Sequence, residues 1–506
     1  MEAALSAFLG EITNRSMSFF IAKLSKDKAE AASLPSDEDL RRKLLRVGII
    51  VEEAHGRQIR SQAMLEQLKI LQAGMFRGQY ALDAFKYDPA AHQQAKDDNV
   101  SHYSSFAISK LNPAKRIQLR RSSSGGRSSS QFGEKKLRQV LGSLEIVITD
   151  AAEFVVFLKG CPPLYRCLYS TYLNLENCMF DRHVEMEHII NFVLAQKYPP
   201  AGCSTEDHHP DVLPIVGPPK SGKSTLLEYV CNDERVRRAF YRIVFFAEDD
   251  LDERIATHVR GGGSRVKYHR HASERGSKSV LVIVEVNGDI SEASWSRLIR
   301  CSASTRFATS TTNVVTKIII CSRSNKIMRL GTTRALKIGY LTQEAYWYFF
   351  KALAFGSMHP EEEPELASLA MEIATCLKGS FIAGNAIARM LRDNLSAKFW
   401  RMALSCFKEV NKRYPFLLDA HPVISPSQDR KLLPMLFPLL NGSKEYCTIF
   451  NGYQIVSAQD EAPMITVPDV LLGRDVLRGK SDVLAWRSTI PPYCSYTLSC
   501  EIHVVS

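Results

Sequence analysis

The feature of this sequence that most limits its possible folds is an eight-residue loop between an apolar run and a helical stretch. Residues 211–216, DVLPIV, are typical of a buried strand, and they lead into 217–224, GPPKSGKS. The loop fits the pattern G-x-x-x-x-G-K-[ST], and its glycines Gly217 and Gly222 allow backbone N–H groups to turn inward. The following helix, beginning near Ser224, would direct its positive N-terminal end at the same place. The sequence therefore predicts a P-loop fold with a nucleotide site at this turn.

Four side chains are candidates for contact with phosphate and metal. Lys223 is predicted to reach the β- and γ-phosphates, and the Ser224 hydroxyl is predicted to ligate Mg²⁺. Glu285 lies near the end of the apolar run SVLVIVEV and is predicted to support the metal, because a nearby buried strand usually supplies such an acid. Arg323, which follows the run KIIICS, is a candidate sensor of the terminal phosphate, with a surface salt bridge as the alternative.

Whether the site hydrolyses nucleotide depends on the residue after Glu285. Val286 stands where hydrolysing P-loop proteins often carry a second acid that prepares the attacking water. We therefore expect hydrolysis to be slow or absent, so that the chain is at most a weak ATPase. The alternative is an active ATPase in which another carboxylate, Asp289 or Glu248, supplies that acid.

The periodicity of apolar residues divides the chain into four predicted domains. Over residues 1–160 they recur at three- and four-residue spacing, which predicts a four-helix bundle with residues 1–25 as one of its helices. Over 161–340 strand-like runs alternate with helical ones, which predicts a parallel sheet with flanking helices. The four strand-like runs are DVLPIV (211–216), YRIVFFA (241–247), SVLVIVEV (279–286) and KIIICS (317–322). Residues 341–414 predict a small helical domain, and the tail 415–506 has no assignable period. The expected fold class is therefore multidomain, α and α/β.

The net charge of +11 is concentrated in one segment. Residues 115–138 contain eight Lys and Arg and one acid, and thus carry seven of the net eleven charges. Their serines and glycines cannot pack a core, so we expect a flexible basic loop near 95–135. Clustered cations can neutralise nucleic-acid phosphates or contact anionic lipid. Because Phe132 is the only aromatic residue of the segment, nucleic acid is the least favoured partner.

Two further sequence patterns indicate the cellular compartment of the protein. No stretch approaches the roughly 18 consecutive apolar residues that a membrane span needs, and the N-terminus lacks the pattern of a signal peptide. The twelve cysteines all lie from Cys161 onward and include no C-x-x-C pair, which is typical of reduced thiols in an intracellular protein. We expect a cytoplasmic protein, with peripheral contact at the plasma membrane as an alternative.

Several motifs together resemble a known family, the plant disease resistance proteins in which an Rx N-terminal-like coiled-coil domain precedes an NB-ARC nucleotide switch. The resemblance covers roughly residues 1–410. Besides the phosphate loop, Phe180-Asp181-Arg182 resembles the entry to the family's nucleotide domain, and Cys321-Ser322-Arg323 resembles its Thr-Thr-Arg sensor. Tyr80-Ala81-Leu82-Asp83 takes the place of the acidic EDVID-type motif and keeps only the acid of Asp83.

The resemblance implies a switch-type protein of plant defence that binds ADP or ATP with Mg²⁺. By match to the family motifs, the residues that would contact the nucleotide are Gly217, Gly222, Lys223, Ser224, Thr225, Arg182 and Arg323. Of these, Arg182 in the entry segment would lie near adenine. The implied metal ligands are Ser224 and Glu285. The implied partners are other immune receptors or signalling proteins, bound through the N-terminal helical domain, with self-association as a further alternative.

The departures from the family pattern indicate a truncated or degenerate relative. Gly379-Ser380-Phe381-Ile382-Ala383 stands in the place of the Gly-Leu-Pro-Leu-Ala stretch and lacks the proline that packs on adenine, so we expect reduced nucleotide affinity. No Met-His-Asp triplet follows, and no leucine-rich repeat can be counted in the tail. The resemblance therefore implies a nucleotide-binding module that acts through partners rather than an efficient enzyme.

Overall fold

The computed structural model describes the chain in eleven ranges: 37–87, 137–164, 179–195, 210–247, 266–269, 279–303, 316–413, 435–440, 445–455, 463–474 and 479–504. The chain divides into two compact units. The helical unit comprises Met1–Leu175, Thr342–Lys378 and Gly384–Glu409, and the P-loop unit comprises Glu176–Leu341, Gly379–Ala383 and Val410–Ser506. Most of the helical segment after residue 341 thus belongs with the N-terminal helices.

The N-terminal part of the helical unit contains three described helices, α1 (Asp37–His55), α2 (Gln62–Lys86) and α3 (137–158). Their apolar stripes are buried as the periodicity predicts, and a glycine sets how closely they approach. A Cβ at Gly78 would lie 2.5 Å from the Leu44 side chain and 2.9 Å from that of Leu144, so a larger residue would separate the helices. Residues 1–25, the expected fourth helix, and the predicted basic loop near 95–135 lie outside the described ranges.

Four further helices follow the P-loop sheet, namely α8 (Gln343–Phe355), α9 (Pro364–Cys376), α10 (Phe381–Arg392) and α11 (Ala397–Arg413). Thr342 caps α8, because its hydroxyl accepts a hydrogen bond from the Ala345 N–H at 3.2 Å. Trp400 is fully buried and its ring lies 5.5 Å from that of Phe355. The predicted small helical domain at 341–414 is therefore helical throughout its described elements.

One contact in the helical unit joins α2 to α8. The Asp83 carboxylate accepts a hydrogen bond from Trp347 Nε1 at 2.8 Å and forms an ion pair with Lys351 Nζ at 2.5 Å. Asp83 is buried, and the Lys351 side chain is largely so. The one acid kept from the EDVID-type motif is therefore a buried, fully paired group that ties two helices together across more than 260 residues of sequence.

The P-loop unit is organised around a six-stranded sheet with the order β3-β2-β4-β5-β1-β6. The strands are β1 (Asp211–Val216), β2 (Arg242–Ala247), β3 (Val266–His269), β4 (Val280–Glu285), β5 (Thr316–Ser322) and β6 (Leu336–Lys337). Five of them are parallel, and β3 pairs antiparallel to β2. The four strands read from the sequence lie where they were predicted. The predicted fold class is confirmed.

Helices cover both faces of this sheet. They are α4 (His183–Leu194), α5 (Lys223–Asn232), α6 (Glu234–Ala239) and α7 (Glu292–Ala303), with a 3₁₀ helix at Asn325–Leu330. One apolar cluster joins sheet residues such as Leu213 to α4 and α5, and the other joins sheet residues such as Val282 to α7 and the 3₁₀ helix. Because both faces are buried, the strands are apolar at nearly every position.

The C-terminal tail, to which the sequence assigned no fold, contains a four-stranded antiparallel sheet. Its strands are β7 (Met435–Pro438), β8 (Glu445–Ile455), β9 (Ser481–Arg487) and β10 (Ser495–Val504), in the order β7-β8-β10-β9, with the short helix α12 (Val467–Leu471) between β8 and β9. The pairing register shifts at Phe450 of β8, opposite Ser499/Cys500, and at Ala485 of β9, opposite Tyr496/Thr497. These irregularities break the period-two alternation by which a strand is read from sequence.

None of the described helices combines the length and the apolar character needed to cross a membrane.

Candidate functional site

The predicted phosphate loop connects β1 to α5 at the carboxyl edge of the parallel strands. Gly222 caps α5 with φ 86°, a backbone conformation that glycine adopts without a steric penalty. At the other end of the loop, a Cβ on Gly217 would lie 2.2 Å from the Ile338 carbonyl oxygen. Both predicted glycines are therefore required by the geometry, one for its φ angle and one for close backbone packing.

The ammonium group of Lys223 is held inside the loop. Its Nζ donates to the carbonyl oxygen of Gly217 at 2.8 Å and to that of Pro218 at 2.6 Å. The pKa of Lys223 is lowered, first by burial and also by the charge of Arg323, while Cys321 and Glu285 oppose the shift. Lys223 is thus a partly desolvated cation whose donors are satisfied by its own loop.

Two other side chains fix the shape of the loop. Ser221 Oγ donates to the Pro218 carbonyl at 2.9 Å, and the Tyr340 hydroxyl donates to the Pro219 carbonyl at 2.9 Å. Sequence reasoning missed Tyr340, because this contact joins residues 121 positions apart in the chain and carries no local pattern. The loop is therefore held from its own interior and from the segment that follows β6.

Ser224 and Thr225 lie in the first turn of α5, with Ser224 exposed to solvent. Glu285 ends β4, where it pairs with Cys321 on β5 and with Ala247 on β2. Its carboxylate is close enough to Lys223 to oppose the lowering of that lysine's pKa. A hydroxyl and a carboxylate, the oxygen donors predicted for a magnesium ion, thus flank the same lysine.

Arg182 is the N-cap residue that precedes α4, and it is 5% exposed. Its Nη2 donates to the Gly339 carbonyl at 2.5 Å, next to Tyr340. Its Nε is buried and has no hydrogen-bond partner in the described part of the chain. The structure therefore places Arg182 beside the segment Gly339–Tyr340, which contacts the phosphate loop. The buried Nε of Arg182 remains available as a hydrogen-bond donor.

Two polar clusters fix α4 and hence the position of Arg182. Arg235 donates to both Glu187 carboxylate oxygens, at 2.6 and 3.0 Å, and to Asp233. At the other end of α4, the buried Lys317 donates to the Ala195 carbonyl at 2.8 Å and pairs with Asp211 at 3.1 Å. Bidentate pairs of this kind add geometric specificity.

Arg323 follows β5 and is exposed, as is Lys220 in the middle of the loop. Burial lowers the pKa of Lys220, and the charge of Arg323 lowers it further. The structure thus brings Lys220, Lys223 and Arg323 together. Sequence reasoning named Lys220 only as part of the loop. It gave no sign of the left-handed backbone, φ 57°, that this lysine adopts.

The carboxylate offered as an alternative catalytic acid, Asp289, already has partners. It pairs with Lys326 at 2.5 Å and accepts a hydrogen bond from the Ser324 hydroxyl. These hydrogen bonds lower the pKa of Asp289. The other candidate acid, Glu248, and most of the basic segment 115–138 lie outside the described ranges. Val286 is buried at the end of β4, as an apolar residue.

Comparison with known proteins gives distant relatives. No family model matches the chain. Two disease resistance proteins of Solanum bulbocastanum, RGA1 and RGA2, are each 24% identical to it, over 340 and 339 residues. The alignments cover 62% of this chain but only 31% and 32% of those proteins, so the chain spans about a third of their length.

A chain in the structure of Drosophila ORC bound to DNA aligns with a TM-score of 0.27 and 12% identity. The alignment covers 48% of this chain and 60% of that one. A similarity this weak does not establish a shared fold. The P-loop assignment therefore depends on the sheet, the loop and the helix of this chain.

Proposed function

We propose that this chain is a nucleotide-binding, switch-type protein of plant defence that holds ADP or ATP with Mg²⁺ at the phosphate loop. The observation that carries the proposal is the position of Lys223, whose ammonium group lies inside a loop with no room for a Cβ at Gly217. Bound phosphate oxygens would replace the carbonyl oxygens of Gly217 and Pro218 as its acceptors. Charge-assisted hydrogen bonds of that kind are stronger than those to neutral carbonyls.

The residues around the loop fit the chemistry of a magnesium nucleotide. The charge of Arg323 acts on both Lys220 and Lys223, and clustered cations of this kind favour a polyanion. Mg²⁺ is commonly bound through one or two protein oxygens together with substrate phosphates. No group of three or more His, Cys, Asp or Glu side chains that could hold a metal ion is found among the described residues. We assign Ser224 and Glu285 to the metal and the buried Nε of Arg182 to the base.

The role in defence is supported by the similarity to the disease resistance proteins of Solanum bulbocastanum. Since the alignments span only about a third of those proteins, we propose that this chain acts through partners, other immune receptors or signalling proteins, bound by its N-terminal helices. Co-purification of a receptor with the full chain, but not with a chain lacking residues 1–160, tests this partner proposal.

We further propose that hydrolysis is slow or absent. Val286 supplies no acid next to Glu285, and Asp289 is engaged with Lys326 and Ser324. The expected rate of phosphate release from ATP is close to that of buffer. Steady release that is abolished by Glu285→Gln would instead support an active ATPase.

The test of nucleotide binding is a calorimetric titration of the full chain with Mg-ADP and with Mg-ATP. Lys223→Ala should weaken affinity roughly ten- to a hundredfold, because a charge-assisted phosphate contact is typically worth about 1.5–3 kcal/mol. Lys326→Ala is the matched control, since Lys326 is an exposed lysine paired with Asp289. Equal affinities of wild type and Lys223→Ala, or no heat with the wild type, would contradict the proposal.

A further inference from the structure

The segment that follows β6 is anchored beside the start of the phosphate loop. The Ile338 N–H donates to the Val216 carbonyl at 2.8 Å. The Ile338 carbonyl oxygen lies so close to Gly217 that a Cβ there would approach it to 2.2 Å. These backbone contacts involve the end of β1 and the first residue of the loop. The position of Tyr340, two residues later, is therefore set without help from the middle of the loop.

The Tyr340 side chain reaches that middle. Its hydroxyl donates to the Pro219 carbonyl oxygen at 2.9 Å. A carbonyl oxygen can only accept, so the hydroxyl must be the donor. Burial raises the pKa of Tyr340, which keeps the proton on the hydroxyl at neutral pH. Tyr340 thus holds the Pro219 carbonyl in one direction.

The Pro219 carbonyl has a different partner from the carbonyls before it. The carbonyl groups of the two preceding residues accept hydrogen bonds from Lys223 Nζ, whereas that of Pro219 accepts from Tyr340. The peptide bond between Pro219 and Lys220 is trans, so its N–H points opposite to its C=O. Because the carbonyl is directed at Tyr340, the Lys220 N–H points away from Tyr340.

The Lys220 N–H is the first backbone donor in the middle of the loop, since Pro218 and Pro219 have none. Lys220 has φ 57°, and Gly222 has φ 86°. Left-handed residues in a short turn allow successive N–H groups to converge on one concave side, which suits an anion. This conformation is sterically costly for a lysine. A contact that fixes the preceding carbonyl therefore helps to keep the N–H in place.

We propose that Tyr340 is a positioning residue of the phosphate site. By holding the Pro219 carbonyl on the outer side of the loop, it directs the Lys220 N–H at bound phosphate. This inference rests on the proposed nucleotide-binding function. An oriented donor needs no reorganisation when its ligand binds, so the Tyr340 hydroxyl raises the affinity of the site for phosphate without contacting it.

The experiment combines calorimetric titration of the full chain with Mg-ADP and amide hydrogen exchange of residues 217–224 at saturating Mg-ADP. Tyr340→Phe removes the hydroxyl and keeps the ring. Tyr493→Phe is the matched control, because it removes a hydroxyl from a tyrosine that is 68% exposed. Hydrogen exchange reports whether the loop N–H groups are held in hydrogen bonds, which a general loss of affinity does not.

Tyr340→Phe should weaken Mg-ADP affinity about three- to tenfold, as expected for the loss of one neutral hydrogen bond. Its loop amides should exchange faster than those of the wild type even at saturation, and Tyr493→Phe should match the wild type in both measurements. Unchanged affinity in Tyr340→Phe, or weaker binding with unchanged exchange in the loop, would overturn the inference and leave nucleotide binding intact.

Faster exchange throughout the P-loop unit of Tyr340→Phe would also overturn the inference, since it would show a general structural role for the hydroxyl. If the wild type does not bind Mg-ADP, the proposed function itself fails, and the inference fails with it.

Discussion

The Asp83 contact of the helical unit and the phosphate loop of the P-loop unit place charged side chains in opposite ways. In the helical unit, the buried Asp83 carboxylate is paired with Lys351 and Trp347. At the phosphate loop of the P-loop unit, Arg323 lowers the pKa of Lys220 and of Lys223, and Glu285 opposes that shift at Lys223. Removing one partner of a buried, paired charge destabilises a fold, while like charges gathered at an accessible loop favour an ion from outside the chain. The comparison thus separates a structural cluster, Asp83 with Trp347 and Lys351, from a binding cluster, Lys220 and Lys223 with Arg323.

The largest effect is expected at Asp83. Asp83→Ala should lower the free energy of unfolding by about 3–5 kcal/mol, because it leaves the buried ammonium of Lys351 without a counter-ion. Denaturant unfolding, followed by the fluorescence of Trp347 and the other tryptophans, measures this change.

Glu361→Ala provides the matched control for Asp83→Ala. Glu361 pairs with Lys86 at 2.9 Å, but its side chain is 55% exposed. The pair should therefore contribute less than about 1 kcal/mol. If Asp83→Ala and Glu361→Ala lower the free energy of unfolding equally, the contact of Asp83 with Trp347 and Lys351 does not have the structural role given to it above.

The second effect comes from His55, a partly buried residue of the helical unit whose ring is kept neutral. Burial lowers the pKa of His55 from 6.5 to about 4, and its ring contacts Gln72 through Nε2 at 2.9 Å. Between these two pKa values the folded state binds fewer protons than the unfolded state. The contribution of neutral His55 to the free energy of unfolding is therefore complete above pH 6.5 and is lost as pH falls toward 4. The free energy of unfolding should fall by about 2 kcal/mol over this range. This is less than the full pKa shift corresponds to, because His55 is partly exposed.

The His55 prediction is checked by comparing wild type with His55→Gln in thermal unfolding at a series of pH values. Glutamine can still bond to Gln72 but does not titrate. The difference in stability between the two proteins should change between pH 6.5 and 4.5 in favour of the variant. Parallel pH profiles would show that His55 is not the titrating group.

The smallest effect is expected at Lys220, in the absence of nucleotide. Lys220→Gly should leave stability unchanged or raise it by up to about 1 kcal/mol, because relief of the left-handed backbone is partly offset by the flexibility of glycine in the unfolded chain. Lys220→Ala keeps a Cβ and should give no gain. A loss of more than about 1 kcal/mol in Lys220→Gly would mean that the lysine stabilises the loop, and the distinction between the two clusters would weaken.

The sequence predicted the elements whose pattern is local. The four apolar runs became β1, β2, β4 and β5, because strands buried on both faces are apolar at almost every position. The phosphate loop was identified by its glycines and Lys223, whose requirements arise within eight residues.

What the sequence missed depends on contacts between distant residues. Trp347 and Lys351 contact Asp83 across more than 260 positions, and Tyr340 contacts Pro219 across 121. The C-terminal sheet escaped prediction because the extra residues Phe450 in β8 and Ala485 in β9 disturb the alternation of side chains along those strands. The unusual backbone of Lys220 has no sequence signature at all, since lysine is not a residue that favours positive φ.

The measurement that tests the central claim most directly is an experimental structure of the full chain in saturating Mg-ATP or Mg-ADP. The account predicts phosphate groups against the loop 217–224, with Lys223 Nζ moved from the carbonyl oxygens of Gly217 and Pro218 to phosphate oxygens. A structure in which Lys223 keeps both carbonyl contacts and the loop holds no phosphate would contradict it.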